Sequence, residues 1–166
     1  GVDKATLTFQ TWYDIEDNWD YAYVMASGDG GATWTPLQTS EMTDSNPNGN
    51  SFGWALTGCS GDPTSDEAGE TCNARWIEQS ADLTPFAGKQ DVLVRFQYIT
   101  DDAVNYPGFF VDDIAIPEIG YGDDAETDAG GWLTASSESG GDAGGAGSGS
   151  GGAGGGGAGG GSAANG

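Results

Sequence analysis

Histidine is missing altogether from these 166 residues. With it go the commonest general base, the Ser-His-Asp arrangement and the imidazole ligands that catalytic zinc sites favour. Basic side chains are nearly missing as well: four Lys plus Arg stand against 26 Asp plus Glu, a formal charge of −22. Such a field repels nucleic acid and anionic lipid at long range and argues against both as partners. No apolar run approaches the ~18 residues of a membrane-spanning helix, so membrane insertion by that route is excluded. The N-terminus lacks the basic and apolar regions of a signal peptide. No segment holds apolar residues at helical spacing for more than a turn, which leaves little room for helix. Apolar content is low, at 36%, because the 31 glycines gather largely at the C-terminal end.

Cysteine is scarce too. Cys59 and Cys72 are the only pair, and they flank a Gly, Asp, Ser and Thr-rich stretch without apolar periodicity. A loop-closing disulfide fits them best, stabilising by roughly 3 kcal/mol in the chain-entropy model, and it implies an oxidising, extracellular setting. The chain then reads as a piece of a longer secreted protein whose export signal lies upstream.

What is present is aromatic and β-patterned. Ala5, Leu7, Phe9 and Thr11 alternate with Thr6, Thr8, Gln10 and Trp12, which marks a half-buried strand. Tyr21 to Ala26 form a second. Asp91 to Thr100 is the clearest strand, with Val92, Val94, Phe96 and Tyr98 on one face. Arg75 to Leu83 alternates as well, Trp76, Glu78 and Ser80 opposite Ile77, Gln79 and Ala81. Ser51 to Leu56 is either a short strand or a packed loop. Between the second strand and Thr33-Trp34-Thr35, the run Ser27-Gly28-Asp29-Gly30-Gly31-Ala32-Thr33-Trp34 matches an Asp box, a hairpin turn in which the Asp accepts backbone amides and the Trp packs beneath. Its role is structural. Seven or eight short strands of this kind predict an all-β fold, an antiparallel β-sandwich.

Three boundaries follow: a sandwich over 1–121, a partial strand or the start of a following module over 122–138, and a Gly, Ser and Ala-rich tail over 139–166. The tail cannot bury apolar area to offset its chain entropy, and its composition predicts a disordered coil.

The block from Trp12 to Val24 sets four carboxylates, Asp14, Glu16, Asp17 and Asp20, between two β-patterned runs. Together with the Ser27 to Trp34 turn, Tyr98-Ile99-Thr100-Asp101-Asp102-Ala103-Val104-Asn105-Tyr106-Pro107 and Gly108-Phe109-Phe110-Val111-Asp112-Asp113-Ile114, it resembles the β-sandwich domain that follows the catalytic domain in immune inhibitor A metallopeptidases. The resemblance runs from residue 4 to about 135. It implies the jelly-roll form, a noncatalytic role, and a catalytic domain of the same polypeptide as partner, whose His-Glu-x-x-His zinc helix would lie upstream.

Calcium takes six to eight oxygens from carboxylates and carbonyls of loops between strands, and the acid blocks supply them. In jelly rolls the first and last strands lie close together, so Asp14, Glu16 and Asp20 are expected to meet Asp112 or Asp113 around one ion, with Asp101 and Asp102 ranked next. Adjacent Asp112 and Asp113 point to opposite faces of a regular strand, so one of them at most should serve. Glu16, Asp20, Asp112 and Asp113 also contain enough carboxylates for a glycosidase pair, although spacing along a chain establishes no cleft. Trp19, Trp54, Tyr106 and Phe109 are the candidate stacking platforms for a sugar. Two functional readings result: a calcium-stabilised accessory domain of a secreted zinc metallopeptidase, or an extracellular glycan- or surface-binding module of an adhesin-like protein.

Overall fold

A computed structural model describes residues 1–61, 72–126 and 130–135. Seven strands are present among them: β1 (Thr6–Asp14), β2 (Tyr21–Ser27), β3 (Thr35–Pro36), β4 (Ile77–Asp82), β5 (Leu93–Ile99), β6 (Gly108–Ile116) and β7 (Tyr121–Asp123). Among the described residues helix is confined to two 3-10 turns, Thr84–Phe86 and Pro117–Ile119. The strands form two sheets, in the orders β4-β1-β6-β7 and β3-β2-β5, and every pairing is antiparallel. The all-β sandwich expected from the periodicity is the fold.

Period-2 alternation decides which residues face inward. Along β1, Leu7, Phe9, Thr11 and Tyr13 are buried while their neighbours are half-buried. Phe9 meets Phe96 of β5 edge to face across the sandwich, with ring centroids 5.1 Å apart. A buried hydroxyl at Thr11 is tolerated because it donates to the Phe110 carbonyl at 2.8 Å. Gln79 faces inward on β4, as its alternation with Glu78 and Ser80 requires. Its amide is satisfied by donating to Glu78 O at 2.9 Å and accepting from Glu41 N at 3.3 Å.

β2 departs from this pattern, with Tyr21, Ala22, Tyr23 and Val24 all buried. The cover on its outer face is the long segment between β3 and the first cysteine. Thr43 and Ala55 exchange backbone hydrogen bonds, Leu56 pairs with Ala22, and Phe52 N donates to the Tyr23 hydroxyl at 3.0 Å. Tyr21, Tyr23 and Ala55 form a second, smaller core beneath that segment. Ser51 to Leu56 is thus a packed loop carrying isolated bridges.

The Asp box forms as expected. Asp29 Oδ1 accepts from Thr33 N at 2.9 Å and Oδ2 from the Thr33 hydroxyl at 2.6 Å, while Ser27 Oγ accepts from Gly31 N at 2.8 Å. Gly30 and Gly31 take φ of 69° and 93°, the left-handed region that favours glycine. Trp34 lies against the Arg95 guanidinium, 4.2 Å from ring centroid to Cζ.

β7 straddles the boundary expected at residue 121, pairing with Ile114 to Ile116 of β6. Trp132 packs back onto Phe96, with centroids 5.6 Å apart. The tail expected to be disordered, 139–166, lies outside the described residues.

Candidate functional site: an acidic junction between two crossing loops

Two connections cross between the sheets at the same end of the sandwich. Residues 15–20 lead from β1 to β2, and residues 100–107 lead back from β5 to β6. Antiparallel register fixes them side by side: Tyr21 sits opposite Ile99, and Asp14 opposite Gly108. Within the first loop, Trp19 N and Asp20 N both donate to the Glu16 carbonyl, at 3.3 and 2.9 Å. The chain turns through Asn18, which takes φ of 61°, a conformation Asn tolerates better than most residues. This turn folds Asp20 back over Glu16.

Asp20 is only 1% exposed, a burial that a carboxylate survives only with partners. It has two: Tyr98 Oη donates to Oδ2 at 2.8 Å, and Asp101 N donates to Oδ1 at 3.1 Å. Asp101 in turn accepts from Ala103 N at 2.9 Å. Carboxylate oxygens of Glu16, Asp20 and Asp101 all lie within 4.8 Å of one another. Glu16 Oε2 is enclosed and has no hydrogen-bond partner among the described residues. Burial first, then the charges of Asp101 and Asp20, raise the Glu16 pKa above the usual carboxylate value. Burial likewise raises Asp14 and Asp17, and burial together with the Asp20 hydrogen bond raises the Tyr98 hydroxyl.

A third segment frames the loop from below. Ile15 N donates to Gly58 O at 3.0 Å, Ser60 N to Tyr13 O at 2.9 Å, and Asn18 N to the Thr57 hydroxyl at 2.8 Å. Ser60 Oγ, fully buried, accepts from Tyr13 N at 3.0 Å and donates to Arg75 O at 2.8 Å. Cys59 lies between these contacts, disulfide-bonded to Cys72 as their isolation in the sequence predicts.

A family model described as "Immune inhibitor A-like, MAM domain" matches residues 1–136. The chain belongs to that family. Among relatives of this MAM domain, the pre-pro-metalloprotease PrtV of Vibrio cholerae serotype O1 (strain M66-2) is 29% identical over 113 residues, 68% of this chain and 10% of that protein. Immune inhibitor A of Bacillus thuringiensis subsp. alesti is 28% identical over 126 residues, 74% of this chain and 15% of the relative. The MAM domain therefore spans only a small part of the length of the curated relatives it matches.

Of the seven metal candidates, the fold of the MAM domain gathers Glu16, Asp20 and Asp101, and Asp102 is not in that group. Asp14 ends β1 close by, near enough for its charge to act on Tyr98. Asp112 and Asp113 do not join them. Because β6 runs antiparallel to β1 with Gly108 opposite Asp14, Asp112 falls opposite Gln10, four residues further along β6 from that end. A register shift between Thr8 and Gln10, with Asp113 at φ 49°, also breaks the alternation that assigned one of the pair to each face. Trp19 and Tyr106, 44% and 41% exposed, stand on the two crossing loops. Trp54 is half-buried and packs on the main core, and Phe109 is buried in it, so neither offers a free stacking face. Among the described residues no helix is long and apolar enough to cross a membrane.

Three residues of the junction escape a reading of the sequence alone: Tyr98, Thr57 and Ser60. Tyr98 belongs to the inward face of a regular strand, and its polar tip becomes relevant only once Asp20 is known to sit at that strand's end. Thr57 and Ser60 lie in a polar segment with no periodicity at all.

Proposed function

We propose that this MAM domain is a noncatalytic, calcium-stabilised accessory domain of a secreted zinc metallopeptidase, packing on the catalytic domain of the same polypeptide or helping to position protein substrate. Family membership and kinship to two proteins named as a metalloprotease and as immune inhibitor A support the accessory role. The observation that carries the calcium reading is the convergence of Glu16, Asp20 and Asp101. Two oxygens bound to one Ca²⁺ at about 2.4 Å each are at most about 4.8 Å apart, the limit within which these three carboxylates lie. The enclosed, unpartnered Glu16 Oε2 suits a donor that awaits a cation. A divalent ion here would offset the repulsion among three carboxylates and tie the two crossing loops together, so its work is structural.

The test is thermal unfolding of the full chain with calcium, against sodium and magnesium at matched ionic strength. Binding only to the folded form adds about 2.7 kcal/mol at a hundredfold excess over Kd. Glu16→Gln and Asp101→Asn should each reduce the calcium increment while leaving the response to sodium unchanged. A calcium shift no larger than that of matched salt would remove the metal from the junction and leave only general screening of the acids. The alternative reading, an extracellular module binding a glycan or protein surface, draws its support from exposed Trp19 and Tyr106 beside the same acids. Glycan binding lost on Trp19→Ala or Tyr106→Ala would favour it.

A further inference from the structure

The disulfide and the acidic junction belong to different parts of the sequence, yet one short segment joins them. Residues 57–60 hold the end of β1 and the β1–β2 loop by four hydrogen bonds: Ser60 N to Tyr13 O and Tyr13 N to Ser60 Oγ at the strand, Ile15 N to Gly58 O and Asn18 N to Thr57 Oγ1 in the loop. Thr57 Oγ1 also donates to the Glu16 carbonyl at 3.3 Å, the same carbonyl that folds Asp20 over Glu16. On its other side the segment is tied to the chain beyond Cys72 by the disulfide and by Ser60, which bonds the backbone of Arg75 in both directions. We propose that the Cys59–Cys72 bridge is a redox latch on the acidic loop: reduction by a small dithiol loosens residues 57–60, and the Glu16, Asp20 and Asp101 carboxylates lose the frame that gathers them.

The chemistry is thiol–disulfide exchange. Cys59 is buried, whereas Cys72 is only partly so. A thiolate of the dithiol therefore attacks the Cys72 sulfur, the S–S bond breaks, and Cys59 leaves as a thiolate that takes up a proton. The second thiol of the reductant displaces Cys72, so the pair gains two electrons and two protons while the dithiol departs as its own disulfide. Closing a loop of this length limits the chain's open states by a factor on the order of a hundred, and that restriction is released on reduction. The core strands keep their own pairing, so opening is confined to the end of the sandwich that carries the crossing loops.

Amide hydrogen exchange on the full, calcium-free chain tests the latch, comparing the oxidised protein with the same protein after a dithiol and with the Cys59→Ser/Cys72→Ser variant. Exchange at Ile15, Asn18 and Ser60 should quicken roughly tenfold or more, while Leu37, whose amide bonds Val24 O in the other sheet, keeps its rate. Unchanged rates at the three amides, or an equal rise at Leu37, overturns the proposal. If the double variant does not fold, Thr57→Val with the disulfide intact replaces it: Asn18 alone should lose protection, and an unaltered Asn18 overturns the route through residue 57. Reduction should also weaken calcium binding at least tenfold, a consequence that rests on the calcium reading. If the oxidised chain binds no calcium, that reading falls while the exchange rates still decide the latch.

Discussion

At the scale of single residues, the Asp box shows what a local motif can specify. Ser27, Asp29 and Thr33 lie within seven residues, so their hydrogen bonds follow from the turn itself, and the sequence predicts them. Their consequence is electrostatic. Hydrogen bonds from the Thr33 side chain and backbone, then from Ser27, hold the Asp29 pKa down to about 2. An unfolded Asp titrates near ~3.9, so between those values the folded state binds fewer protons than the unfolded one. The contribution of Asp29 is therefore fully present above about pH 5 and is lost as pH falls through about 2. Melting temperatures of the wild type and Asp29→Ala should differ by a constant amount above about pH 5 and converge towards pH 2. A gap that ignores pH would mean that the turn does not depend on the carboxylate's charge. Asp20 is the contrary case. Nothing within a few residues of it indicates Tyr98 or the Asp101 amide as partners, because they reach it from β5 and from the loop that follows, about eighty positions away.

At the scale of elements, period-2 patterning was informative wherever one face of a strand meets the core and the other meets water. β1 satisfies that condition along its whole length. Phe9→Ala should cost about 3–5 kcal/mol, since it removes a ring that is 1% exposed and packed on Phe96. Thr8→Ala, one residue away on the outer face, should stay within about 0.5 kcal/mol. Urea unfolding of the two variants checks both values, and similar losses would contradict the assigned faces. β2 was harder to read, being buried on both sides by a core and by a covering loop. A loop such as Thr43 to Leu56 packs through isolated bridges and one tyrosine hydroxyl, and neither leaves a periodic trace in sequence. The same difficulty hid Ser60, whose buried hydroxyl joins two backbones far apart in the chain.

At the scale of the whole molecule, what composition and pattern cannot supply is which strand ends come together. The two crossing loops meet because β1 pairs with β6 while β2 pairs with β5, and that pairing brings Asp101 to Glu16 and Asp20 while carrying Asp112 away. The expected closeness of the first strand and the strand that carries Asp112 is present as the β1–β6 pair, but the proximity of two strands leaves open which of their residues are level. The same long-range logic bears on where the folding unit ends. β7 adds a strand to the larger sheet, and Trp132, beyond it, packs against Phe96 in the smaller one, so the segment past residue 121 contributes to both sheets. The family match, which continues to residue 136, agrees with that extent. A chain ending at residue 121 should consequently be less stable than one ending at residue 135, by at least the loss on Trp132→Ala. That loss is set at about 2 kcal/mol for a half-buried ring, below the 3–5 of a fully buried one. Chemical denaturation of the two truncated chains and of the Trp132→Ala variant measures all three. Equal midpoints for the chains ending at 121 and at 135 would place the end of the domain before β7 is complete, and would leave the contact between Trp132 and Phe96 without weight in the fold.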